Sequence, residues 1–115
     1  MKLAEIAREL GLECLTPQLG GDAEVAGGYA SDLLSDVLAG APKGGVLVTV
    51  QVHLNVVAVA VHAELAGVIF AGSRMPEAPV IERAVEEGIA LYVSKECAFD
   101  VVGRLYALGL RGPAE

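Results

Sequence analysis

The stretch VLVTVQVHLNVVAVAVHAEL, residues 46–65, decides the fold. Its first part, Val46 to Val52, is β-branched and apolar enough to be a strand buried on both faces, as the centre of a parallel sheet requires. Its second part, Asn55 to Leu65, has two readings. The valines suit a strand, whereas the length of the run and Asn55 as an N-cap suit a helix. A strand there would make a hairpin turning at His53-Leu54-Asn55, but that turn lacks the Asn-Gly or Asp-Gly pair that favours a tight bend. The helix is therefore preferred, and it makes the connection a crossover.

Outward from this stretch the same alternation recurs. Val68 to Ala71 reads as a strand, Pro79 to Glu87 as a helix opened by an early proline and closed by Gly88, Ile89 to Val93 as a strand, and residues 95–108 as the last helix. On the amino-terminal side, Leu3, Ile6, Ala7 and Leu10 recur at helical spacing, so residues 2–10 read as a helix with Gly11 just past its end. Leu12 to Leu15 is a brief strand, and Thr16-Pro17 with Gly20-Gly21 forms a loop. Val25-Ala26 is a second short strand, and residues 32–39 form a helix. Strand, helix, strand, helix, strand, helix implies right-handed crossovers. The expected fold is α/β: one domain over residues 1–115, three layers α/β/α, with a mainly parallel sheet.

Composition narrows the function. The chain is 54% hydrophobic but only 4% aromatic, so its core is built from Ala, Val and Leu. A formal charge of -7 opposes long-range attraction to nucleic acid or to an anionic membrane surface. No charged-then-apolar leader opens the chain and no apolar run reaches the roughly 18 residues of a membrane helix, so a cytoplasmic location is expected. Cys14 and Cys97 have no CxxC spacing and read as a reduced pair of buried thiols. Lys43, in Gly40-Ala41-Pro42-Lys43-Gly44-Gly45, lacks the phosphate-loop spacing, and no GxGxxG occurs. Neither a catalytic residue, a metal site nor a cofactor is implied.

In parallel sheets, ligands gather at the carboxyl ends of the strands. Gly27-Gly28 is expected to end the opening strand and to lead through Ser31 and Asp32 into a helix whose first-turn N–H groups would face an anion. His53 and Asn55 follow the long strand, Gly72-Ser73-Arg74 the next, and Ser94-Lys95 the last. If all share one rim, then Gly27, Gly28, Ser31, Asp32, His53, Asn55, Ser73 and Arg74 form a candidate site for a small anion. Taken singly, each also reads as a cap or a solvated loop residue.

Three segments, KLAEIARELGLECLT, GGYASDLLSDVLAGAPKGGVLVTVQVHLNVVAVA and CAFDVVGRLYALGL, resemble a stand-alone DRTGG domain, a family similar in fold to the amino-terminal domain of HPr kinase/phosphorylase. Its members also occur as regulatory inserts in CBS-domain pyrophosphatases and beside phosphotransacetylase regions. The GGYxSDLLSDV segment and Gln51, His53 and Asn55 of the QxHxN segment carry the likeness. Of the Asp-Arg-Thr-Gly-Gly string itself only Gly27-Gly28 remain, preceded by Val25-Ala26. The resemblance implies a non-catalytic regulatory domain, a homodimer or the partner of an enzyme, binding a nucleotide or a phosphorylated small molecule. Two alternatives are a small phosphotransferase-like or hydrolytic enzyme with His53 as base, and a purely structural interaction module.

Overall fold

The computed structural model describes residues 1–113. Its elements are α1 (Leu3–Leu10), β1 (Glu13–Cys14), a single 3-10 turn (Pro17–Leu19), β2 (Gly28–Ala30), α2 (Leu34–Gly40), β3 (Val46–Thr49), α3 (Asn55–His62), β4 (Gly67–Phe70), α4 (Ala78–Glu87), β5 (Ala90–Val93) and α5 (Ala98–Ala107). The sheet runs β1-β5-β4-β3-β2, parallel from β2 to β5, with β1 antiparallel on the edge beside β5. This is the expected mainly parallel, three-layer α/β domain.

Residues 55–62 are a helix and β3 pairs with β4 in parallel, so no hairpin turns at His53. The valine-rich run is helical although its residues favour strands, because Val56, Val57 and Ala60 fill the space over the sheet. Where a glycine ends a helix, sequence and structure agree: Gly11 (φ 64) follows α1 and Gly88 (φ 75) follows α4, both left-handed.

Successive right-handed crossovers between strands that are also neighbours in space put α2, α3 and α4 on one face. Val37, Val57 and Ala84 from these helices pack there against Leu47, Val68, Phe70 and Leu91. The helices nearest the two chain ends cover the other face, where Leu3, Ile6, Leu10, Val101 and Leu105 meet Val46, Val48, Ile69 and Tyr92. The parallel strand order never reverses, so the sheet has no switch-point crevice, the usual ligand site of doubly wound sheets.

Cys14 and Cys97 are free thiols as expected but both are exposed, not buried: Cys14 lies on the edge strand β1 and Cys97 just ahead of α5. Tyr92, opposite Cys14 on β5, is 2% exposed. Burial, and secondarily the Cys14 thiol, push its phenol above the ordinary tyrosine value. The folded protein therefore keeps a proton that the unfolded chain releases near pH 10. Stability from this source is intact below pH 10 and is lost as pH rises through the folded value. Denaturant midpoints measured from pH 8 to 11 are expected to fall above pH 10, and to fall less steeply in Tyr92→Phe. An equal fall in both proteins would refute the assignment.

Candidate functional site

At the carboxyl ends of the strands, side chains fold back onto the backbone two residues ahead. Thr49 Oγ1 accepts from the Gln51 N–H at 3.1 Å, Gln51 Oε1 from the His53 N–H at 3.2 Å, and His53 Nδ1 from the Asn55 N–H at 3.1 Å. These three bonds stitch β3 to the first turn of α3. The same device closes the turns after β2 and β5: Ser31 Oγ accepts from the Leu33 N–H at 3.2 Å, and Ser94 Oγ from the Glu96 N–H at 3.1 Å.

The Asp32 carboxylate crosses to the neighbouring strand. Its Oδ1 accepts from Thr49 Oγ1 and from the Val50 N–H, both at 2.8 Å. Taking the Val50 amide out of the ladder ends β3 at Thr49, so the strand stops three residues short of the expected Val52. Asp32 is spent on this bond pair and does not cap α2, which begins at Leu34 with Leu33 as its N-cap. The expected anion-facing helix start at residues 31–32 is corrected accordingly: the seven-residue helix starts two residues later.

Gly27 and Gly28 are the second correction. The opening strand is Gly28–Ala30 and not Val25-Ala26, and Gly28 pairs with Val46, the first residue of β3. Both glycines thus lie at the amino end of the parallel strands, opposite the rim that holds Asp32 and His53. Gly27 is packed against the carboxyl-terminal segment, where a Cβ would stand 2.8 Å from Arg111 O.

The other candidates follow the carboxyl ends of neighbouring strands: Ser31 and Asp32 come after β2, His53 after β3, and Ser73 and Arg74 after β4. The Ser73 N–H donates to Ser94 O at 2.8 Å and the Gly72 N–H to Glu96 O at 2.7 Å, tying the loop after β4 to the one after β5. Gly72 (φ 67) and Ser73 (φ 59) are both left-handed, a strained state for serine. His53 lines a depression of about 390 Å³ with Gln51, Glu77 and Pro79. Asn55 opens instead onto a shallow cleft of about 300 Å³ between α3 and α4, with His62, Arg83 and Glu87. Asn55 is the first residue of α3 and not its cap; Leu54 holds the N-cap position, and the imidazole of His53 before it accepts from the Asn55 N–H. No group of three or more His, Cys, Asp or Glu side chains able to hold a metal occurs among the described residues. No helix among them is long and apolar enough to cross a membrane.

Two features escaped the sequence reading. Thr49, 1% exposed, links Asp32 to the Gln51 amide and is the hub of the rim. A polar residue at every second position from 49 to 55 was its visible signal. The other is an apolar trough at the amino end of β2, about 320 Å³, lined by Gly28, Ala30, Val102, Leu105, Tyr106 and Arg111 among others. Tyr29 points to the opposite face, where its hydroxyl donates to Asp36 Oδ2 at 2.9 Å; that bond, more than burial, raises its phenol above the ordinary value.

No family model and no curated protein matches the chain. Among solved structures, the chain is similar to the CBS and DRTGG domains of the regulatory region of Clostridium perfringens pyrophosphatase, determined with the activator diadenosine tetraphosphate. The TM-score is 0.69 at 16% identity, over 95% of this chain and 47% of that one. The chain thus has a DRTGG-like fold and spans about half the length of the structure it matches.

Proposed function

We propose that this protein is a non-catalytic regulatory domain that binds a nucleotide or a phosphorylated small molecule and acts through self-association or on a partner enzyme. The observation that carries this reading is the match of nearly the whole chain to a pyrophosphatase regulatory region whose structure holds a nucleotide activator. The rim chemistry supports it. Asp32, His53 and Gln51 are engaged in holding backbone turns, a use that suits loops whose order changes on binding better than it suits acid–base chemistry. The acceptor site for a small anion is the rim around Ser31, Asp32, His53, Ser73 and Arg74, with Arg74 supplying positive charge. The domain works as one unit in the cytoplasm, and its self-associated form is a homodimer.

A thermal-shift screen with adenine and guanine nucleotides, acetyl phosphate and sugar phosphates tests the reading. A ligand that binds only the folded state adds about 2.7 kcal/mol of stability at a hundredfold excess over its Kd. The expected result is a dose-dependent rise in Tm for one class, lost in Arg74→Ala and in His53→Asn, which keeps an acceptor for the Asn55 N–H. A rise unchanged in both variants places the ligand elsewhere, and no rise for any compound overturns the sensing role. Turnover of a phosphorylated compound that His53→Asn abolishes would favour the enzyme instead.

A further inference from the structure

Strand β2 is an edge of the sheet. Gly27 O accepts from the Val46 N–H and the Ser31 N–H donates to Val48 O, so alternate positions turn toward β3 and the backbone of Gly28 and Ala30 turns outward. The Gly28 N–H donates to Arg111 O at 2.9 Å. Arg111 is itself fastened to the end of α5: Nη1 donates to Tyr106 O at 2.9 Å and the guanidinium lies 3.6 Å from the Tyr106 ring centroid, while a second bond from Nη1 to Leu110 O, also 2.9 Å, stays within the segment. Residues 110–113 thus lie as a strap over half of the outer edge.

We infer that this strap is an autoinhibitory contact, competing with a second copy of the chain for the β2 edge. The inference rests on the self-association reading above. Beside the strapped trough lies an open apolar groove of about 520 Å³, lined by Ala30, Ala98, Phe99, Val102, Gly103 and Tyr106. Phe99 is 86% exposed and Tyr106 58%, so the two aromatic side chains offer roughly 250 Å². A stable pair of proteins buries about 800 Å² on each partner. The two aromatic side chains alone fall short of that, and release of the strap extends the patch into the trough and frees the Gly28 amide for cross-strand pairing. Gly28 and Ala30, the two residues whose backbone faces outward, carry neither charge nor bulk, so this short edge can pair with another chain. The strap has the character of a part that opens easily, since Arg111, Gly112 and Pro113 are all exposed.

The experiment compares the full chain with Arg111→Ala, which removes the latch, and with Gly27→Ala, whose added methyl displaces Arg111 O. Dimer Kd is measured by sedimentation, and exchange of the Gly28 and Ser31 amides by NMR. Both variants are expected to speed Gly28 exchange, to leave Ser31 exchange unchanged, and to tighten the dimer by at least about tenfold. In Arg111→Ala the gain would come despite added negative charge on each copy, which opposes association. Faster Gly28 exchange with an unchanged or weaker dimer overturns the strap as competitor and leaves self-association standing. Unchanged Gly28 exchange in both variants overturns the latch itself. If neither the full chain nor any variant associates, the self-association reading falls, and the strap's role with it.

Discussion

Phe70→Ala is expected to cost about 3–5 kcal/mol of folding stability, the usual loss when a buried aromatic is truncated in a core. Phe70 is fully buried in β4, the middle strand of the sheet, and packs into the layer under α3 and α4 with Val56, Val57, Val80 and Ala84. The chain has only two phenylalanines, and the other is Phe99, almost wholly in solvent. Phe70 is therefore the largest fully buried side chain, with small and branched aliphatics around it that cannot grow into the cavity. A domain of this size is stable by roughly 5–15 kcal/mol, so the substitution removes a large part of the margin. Urea unfolding of Phe70→Ala against the parent measures it, with Phe99→Ala as a control expected within about 0.5 kcal/mol. A loss at Phe70 below about 1 kcal/mol would mean that the core under α3 and α4 is loosely packed.

Asp32→Ala is expected to destabilise by about 2 kcal/mol and to loosen the rim. Two acceptor interactions of one carboxylate oxygen disappear together, and hydrogen bonds to a charged group contribute about 1.5–3 kcal/mol. The exposure of Asp32 keeps the loss toward the lower end, because water can partly replace it at the Val50 amide. Thr49 is less easily rescued, being buried. Asp32→Asn keeps an acceptor at the same place and is expected to recover half or more of the loss. Amide exchange at Val50 and Gln51 provides the local reading: both are expected to speed up in Asp32→Ala, whereas amides of β5 hold. If Val50 is as protected in Asp32→Ala as in the parent, the carboxylate does not terminate β3.

The layers were legible because they depend on patterns that neighbouring packing does not reverse. Leu3, Ile6 and Leu10 at helical spacing became a buried stripe, and Gly11 and Gly88 took the left-handed state at the helix ends. The run from Asn55 was readable as a helix from its length, even though valines are poor helix formers. The turn chemistry was harder to read. Ser31 and Asp32 are both good N-cap residues, and nothing local tells that the aspartate instead reaches the end of a strand seventeen residues ahead. Likewise Gly27-Gly28 carries the mark of a tight turn, yet what it accommodates is Arg111 O, a contact set by the far end of the chain. Of the candidate site, Asp32 and His53 do share a rim. The sequence could not say that the side chains there would be occupied with one another's backbone.

The pairing of β1 with β5 has a kinetic counterpart. From β2 to β5 every strand joins the one before it across a single helix, so each closure involves a loop of some twenty residues. Glu13 meets Val93 across eighty residues. Loop-closure entropy rises with span, and distant contacts delay a folding reaction when it must wait for them. The parallel core is accordingly expected to assemble first, with the amino-terminal arm annealing to a surface already built.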